Sequence, residues 1–185
     1  IIFHLPYAFH GRRMIFNNWL NWIKKDITYK DLLAEIGQED DELFTKKAYK
    51  SDIYKNFITS KVAPGEKASS SIGNMYSASV FMSLLSMLNY HFDNDTEIRN
   101  QKVGFISYGS GSKAKIFQGE IQTNWKEKIK ISKLFESLNK RKEISFDEYQ
   151  DLHKSKKISP LSNHSIRFSH TDDSINSKGY RRYKI

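Results

Sequence analysis

His4 closes the aliphatic run IIFHL just ahead of Pro6, where an imidazole can act as acid, base or hydrogen-bond donor. A lone histidine at a strand end is more often a hydrogen-bonded structural residue than a catalyst, and its position alone does not make it one. Other chemistry-bearing patterns fall away. Ser110 and Lys113 meet a serine-x-x-lysine spacing, but its partner motifs are missing and the pattern arises by chance in a lysine-rich chain. His4, His10, His91, His153, His164 and His170 show no zinc-ligand spacing, so no metal site is expected. DNDTE lacks the distal glycine and glutamate of a calcium loop. GSGS follows a strand and could cradle phosphate on backbone amides, yet it lacks the longer glycine pattern of a nucleotide loop and also reads as a tight hairpin. The chain has no cysteine, which removes disulfides, thiolate ligands and the commonest strong nucleophile.

The elements that would position these residues follow from apolar spacing. IIFHL reads as a short buried strand ended by Pro6. Ile15, Phe16, Trp19, Leu20, Trp22 and Ile23 recur at helical spacing, predicting a helix over about 12–25 with Arg12 and Arg13 in its first turns. Thr28 and Asp31 form a capping pair for the helix in YKDLLAEIG, which Gly37 can close. DDELFTKKAYKSDIYKNFITSKV reads as one amphipathic helix with acids at its start. APGEKASSSIGN reads as a loop leading to Gly73 and Asn74. Charge then vanishes in MYSASVFMSLLSMLNY, a predicted buried helix. There Val80, Phe81, Leu84, Leu85 and Leu88 are apolar and Ser77, Ser79, Ser83 and Ser86 permit close packing. KVGFISY and KAKIFQGEI predict a hairpin across GSGS, Ser145 and Glu148 a capping box, and SIRFSHTDDSINSKGYRRYKI one or two closing strands.

Composition bounds the class. A chain of 185 residues that is 38% hydrophobic can bury a real core, and one compact domain is expected. No apolar run approaches the roughly 20 residues of a membrane span, and the start has no signal-peptide pattern, so a cytoplasmic protein is expected. The net charge of +9 fits nucleic acid, a phosphorylated cofactor or simply a solvated lysine-rich surface.

Three stretches in order, FHLPY, IGNMYSASVFMSLLS and VGFISYGSGSKAKIFQGEI, resemble the second half of 3-hydroxy-3-methylglutaryl-CoA synthases, condensing enzymes of the thiolase superfamily. They cover about the first two thirds of the chain, and GYRRY is compatible without being diagnostic. The resemblance implies an α/β, thiolase-like fold, with residues 1–185 supplying the C-terminal half as a mixed sheet layered by helices, plus a helical insertion between His4 and Asn74. It implies acetyl-CoA and acetoacetyl-CoA as substrates and no tightly bound cofactor. It casts His4 as the histidine that anchors and polarises the acetoacetyl acceptor, Asn74 as the amide that holds a thioester carbonyl, and Ser107 as the serine that orients the acyl groups. Purely structural readings are an N-cap for Asn74 and an ordinary strand position for Ser107; Tyr76 and Tyr108 read as packing residues. The family's first CoA-contacting lysine falls at Phe9 and a later basic position at Arg13, beside Arg12, so phosphate contact is assigned to Arg12 and Arg13.

The family's nucleophilic cysteine and general-base glutamate belong to its N-terminal half, and no residue here matches either. These residues alone are therefore expected to be inactive, with the N-terminal half of the same enzyme and a homodimer mate as partners and open strand edges as an association hazard. Two other functions stand beside mevalonate-pathway synthesis. One is β-branching of a polyketide on an acyl carrier protein, whose acidic surface would welcome positive charge. The other is a basic non-enzymatic nucleic-acid-binding module, against which stands the absence of any recognition motif.

Overall fold

The computed structural model describes residues 1–38, 43–109, 111, 113–154, 156, 167–171, 178–179 and 181–184. Where length predicts one domain, the chain divides into two compact units, Ile1–Asn139 and Lys140–Ile185. The boundary falls on Lys140, Arg141, Lys142 and Glu143, a charged run with no apolar side chain to bury.

The first unit is built on a mixed three-stranded sheet of order β1-β2-β3. β1 (Ile2–Phe3) runs parallel to β2 (Lys102–Gly109), which pairs antiparallel with β3 (Lys113–Glu120), as the hairpin reading predicts. Ser110 and Ser112 of the GSGS turn lie outside the described residues. Ile2 and Phe3 are both buried and feed different apolar clusters, because successive strand residues face opposite ways. β3 is exposed along nearly its whole length, with Ile116 77% accessible, and its outer edge has no strand neighbour among the described residues.

Helix α1 (His10–Ile23) starts slightly earlier than its apolar spacing indicates. Gly11 permits this start: a Cβ there would stand 2.7 Å from the Phe3 ring, so the helix lies directly on β1. Helix α2 (Ile27–Ile36) is capped by Asp26 rather than by a Thr28–Asp31 pair. The Asp26 carboxylate reaches the Thr28 amide at 3.1 Å and the Thr28 hydroxyl at 3.2 Å, while Gly37, at φ +97°, ends the helix as predicted.

The single helix predicted after Gly37 is two, α3 (Phe44–Lys50) and α4 (Asp52–Lys61). Ser51 breaks it by taking an extended ψ and turning its hydroxyl to accept from the Tyr54 amide at 3.1 Å. The predicted loop APGEKASSSIGN is mostly helix α5 (Ala63–Ile72). Pro64 sits in the first turn, where its missing N–H is no loss. Gly65 is small because neighbours are close: a Cβ there would lie 3.3 Å from Ile2 Cδ1 and 3.5 Å from the Ser83 carbonyl.

A 3₁₀ turn (Tyr76–Ala78) leads into α6 (Ser79–Asp93), shorter at its start than the predicted buried helix. Its wholly buried positions are serines, Ser79, Ser83 and Ser86, with Asn89, Val80 and Met87 nearly so, whereas Phe81 is 65% exposed and Ser77 is also at the surface. Contact through serine brings α6 against α5 and β1, which leaves the larger Phe81 outside. Short helices α7 (Trp125–Ile129) and α8 (Leu134–Asn139) complete the unit.

In the second unit α9 (Phe146–His153) begins with the predicted Ser145–Glu148 capping box. Strands β4 (Arg167–Thr171) and β5 (Arg181–Lys184) pair antiparallel with an irregular register between Phe168 and His170. His164 lies outside the described residues.

Candidate functional site

His4 extends β1 by one position, its amide donating to the Ile106 carbonyl at 2.9 Å. With Phe3 opposite Ile106 in the parallel register, this bond sets His4 beside the Ser107–Tyr108 end of β2. Its ring meets that of Tyr108 edge-on, with centroids 5.0 Å apart, so Tyr108 is indeed a packing residue and its packing partner is the site histidine. His4, Ser107 and Tyr108 are all half-buried, accessible from one side while held from the other.

The next residue, Leu5, is the junction with α6. Ser79 Oγ accepts from the Leu5 amide at 2.7 Å and donates to the Leu5 carbonyl at 3.0 Å. One hydroxyl thus satisfies both backbone groups of a buried residue that has just left the sheet. Ser79 opens α6, and the chain leading into it is the Asn74 turn. The His4–Ile106 bond thus sets His4 beside the Ser107 end of β2, and the Ser79 bonds hold the start of α6, five residues past Asn74, against the residue that follows His4.

Asn74 is not a helix N-cap: α6 has no side-chain cap, and Asn74 Oδ1 accepts from the Tyr76 amide at 2.8 Å. This local turn places Tyr76 at φ +51° and fixes which way the carboxamide faces. Its Nδ2 has no partner among the described residues, and Asn74 is exposed. The Ser107 hydroxyl likewise has no partner among the described residues.

The two arginines diverge. Arg13 is exposed and lines a hollow of about 310 Å³ with Phe16, Thr45, Lys46, Tyr49 and Lys50. Arg12 turns toward α5, where its Nε and Nη2 both lie 2.8 Å from Glu66 Oε2. Glu66 is 2% exposed; burial pushes its carboxyl above the ordinary range against the pull of Arg12. The Tyr54 hydroxyl donates to the Arg12 carbonyl, and burial, then the charges of Tyr49 and Glu66, raise its pKa. Sequence reading missed Glu66 and Ser79. A glutamate among serines carried no burial signal, and Ser79 was recognised only as small. Among the described residues no cluster of His, Asp or Glu could hold a metal ion, and no helix is long and apolar enough to cross a membrane.

Solved structures share this arrangement of sheet and helices. The chain superposes on MvaS in complex with 3-hydroxy-3-methylglutaryl coenzyme A with a TM-score of 0.64 at 23% identity, covering 98% of this chain and 40% of that one. On the curacin biosynthetic pathway HMG synthase in complex with holo donor-ACP the TM-score is 0.57 at 20% identity, covering 83% and 31%. The fold is therefore the thiolase-like α/β fold of the HMG synthases. Residues 1–181 match the family model described as hydroxymethylglutaryl-coenzyme A synthase C terminal, and the chain belongs to that family. It is 27% identical over 167 residues to the hydroxymethylglutaryl-CoA synthase of Haloferax volcanii, covering 83% of this chain and 38% of that protein. It is 26% identical over 192 residues to the mitochondrial enzyme of Rattus norvegicus, covering 95% and 37%. The chain thus spans under two fifths of the length of these relatives.

Proposed function

We propose that this chain is the acceptor-binding part of a hydroxymethylglutaryl-CoA synthase, which condenses acetyl-CoA with acetoacetyl-CoA to give 3-hydroxy-3-methylglutaryl-CoA for the mevalonate pathway. The observation that supports this reading is the His4–Ile106 bond, which sets His4 beside the Ser107 end of β2, together with the Leu5–Ser79 bonds, which hold the start of α6, five residues past Asn74, against the residue after His4. Attack of the acetyl methyl carbanion on the ketone of acetoacetyl-CoA turns the ketone oxygen into an alkoxide. The His4 imidazole hydrogen-bonds that oxygen and then protonates it. Asn74 Nδ2 holds a thioester carbonyl and the Ser107 hydroxyl orients the acyl chain. Arg13, exposed beside Lys46 and Lys50, serves the CoA phosphates.

The thiol that carries the acetyl group and the base that deprotonates it come from the rest of the longer protein, since this chain has no cysteine. By itself the chain is inactive in this reading, and it works joined to the N-terminal half in a homodimer. The compartment is cytoplasmic, although relatives from rat and mouse carry the word mitochondrial in their names. A second reading, β-branching on an acyl carrier protein, draws on Phe9 standing where the family has a CoA-contacting lysine, and on neighbours solved with a donor-ACP.

The deciding experiment measures CoA release by the full-length protein from acetyl-CoA with acetoacetyl-CoA, beside acetoacetyl carrier protein, with a His4→Ala control. Turnover on the CoA acceptor that falls about 10²- to 10³-fold in the control supports the mevalonate reading. Turnover on the carrier protein alone transfers the assignment to β-branching. Silence on both with cysteine and glutamate present upstream overturns both, and nucleic-acid binding then becomes the reading to test.

A further inference from the structure

Glu66 poses a physical question that the proposed reaction leaves unanswered. A carboxylate 2% exposed is costly unless paired, and a buried ion pair is commonly no more stabilising than apolar residues of the same volume. Glu66 is paired through one oxygen only: Oε2 takes both Arg12 contacts, while Oε1 is buried with no partner among the described residues. Stability alone is a poor reason to keep such a pair.

Its geometry supplies a better one. The Arg12 guanidinium is held by Glu66 on one side and stands 4.5 Å from the centroid of the Phe9 ring on another. The Arg12 amide donates to the Phe9 carbonyl at 3.3 Å, and the Arg12 carbonyl accepts from the Tyr54 hydroxyl. Arg12 thereby ties the first turn of α1 to both α4 and α5. The chain from His4 to α1 is short and is clamped at its near end by Ser79 on Leu5. Arg12 and Glu66 clamp its far end. We propose that Glu66 is a positioning residue for the His4 turn: through Arg12 it fixes the first turn of α1, holds the imidazole at the end of β1, and leaves Arg13 as that turn's phosphate-facing cation. This inference rests on the catalytic reading of His4 and adds Glu66 and Arg12 to its supporting frame.

The test uses the full-length protein with Glu66→Gln, Arg12→Ala, Arg13→Ala and the apolar double variant Arg12→Met/Glu66→Leu. The readouts are melting temperature, the NMR ring signals of His4, and kcat against KM. The expected result for Glu66→Gln is a displaced His4 signal and a kcat lowered about 10- to 100-fold, with KM for the CoA thioesters within about twofold. Arg12→Ala should follow the same pattern, whereas Arg13→Ala should mainly raise KM. The double variant should keep the melting temperature yet restore neither the His4 signal nor kcat. A folded double variant with wild-type His4 signal and kcat overturns the proposal, because the pair is then only structural. An Arg12→Ala variant that raises KM alone, as Arg13→Ala does, overturns it too. Should the wild-type protein prove inactive, the His4 signal still decides the positioning role, separately from the proposed reaction.

Discussion

The two sides of β1 are built on different principles. Beyond Phe3 lies an aromatic cluster in which Phe16, Trp19, Tyr49, Tyr54 and Phe57 pack with ring centroids 4.6 to 6.1 Å apart. Beyond Ile2 lies the seam of α5 against α6, where Gly65 lies against the Ser83 carbonyl and the Ala68 amide donates to the Ser86 hydroxyl, while Ser79 holds Leu5. Volume holds the first region together, and backbone proximity holds the second. Rings can slide and repack while still excluding water. A hydroxyl bonded to two backbone groups allows no such latitude, and His4 and the Asn74 turn both hang from the serine side.

The comparison can be broken most forcefully at Trp19. Trp19→Ala empties the middle of the aromatic cluster and should cost about 3–5 kcal/mol, read from urea unfolding of the chain. Trp19→Phe should recover most of that, as a region held by volume requires. If the two variants lose the same stability, volume is not what holds this side. Ser79→Ala is expected to come next, at about 1–3 kcal/mol, because it strands the buried Leu5 amide and carbonyl together. It should also displace the His4 ring signals in NMR, which Trp19→Phe should leave in place.

The aromatic side was largely legible in the sequence: of the apolar residues at helical spacing, Ile15, Phe16, Trp19 and Ile23 lie in the core, whereas Trp22, in the same set, is 55% exposed. The serine side was not. Small polar residues with Pro64 and Gly65 give the same composition to a loop and to a helix pressed against its neighbour, and only the neighbour distinguishes them. The break at Ser51 is different: its hydroxyl caps the amide only three residues on, with Asp52 in the first turn, a local signal masked by the apolar spacing that continues across it. Motif order is what singles out His4, Asn74 and Ser107 as candidates, whereas the partners of Glu66 and Ser79 lie 54 and 74 residues away in sequence. The inward turn of Arg12 was equally hidden, because its charge alone fits a phosphate or a carboxylate.

Ser86 sharpens the contrast within the serine side itself. Its hydroxyl accepts from the Ala68 amide at 3.0 Å and donates to the Pro64 carbonyl at 2.7 Å, standing inside a turn of α5. Those two groups are four residues apart in one helix, so on Ser86→Ala they can bond to each other. The cost should be only about 0.5–1.5 kcal/mol, below that of Ser79→Ala, whose Leu5 groups cannot pair with one another. Equal losses at the two serines would show that the helix cannot close over the gap.

The smallest effect expected is electrostatic and lies further along α6. Burial, and then the charge of Lys61, hold the His91 imidazole below its ordinary value of 6.5, and its Nδ1 is buried without a partner among the described residues. The folded chain therefore binds a proton at His91 less readily than the unfolded one does. The stability tied to the neutral ring is present above about pH 6.5 and is lost as pH falls through the lowered folded value. Urea midpoints of wild type and His91→Gln, compared from neutral pH down to about pH 5, should converge as the solution is acidified, because glutamine has no proton to gain. Parallel curves would mean that the ring is hydrated in the folded chain, and that the packing about α6 loosens away from its serine contacts.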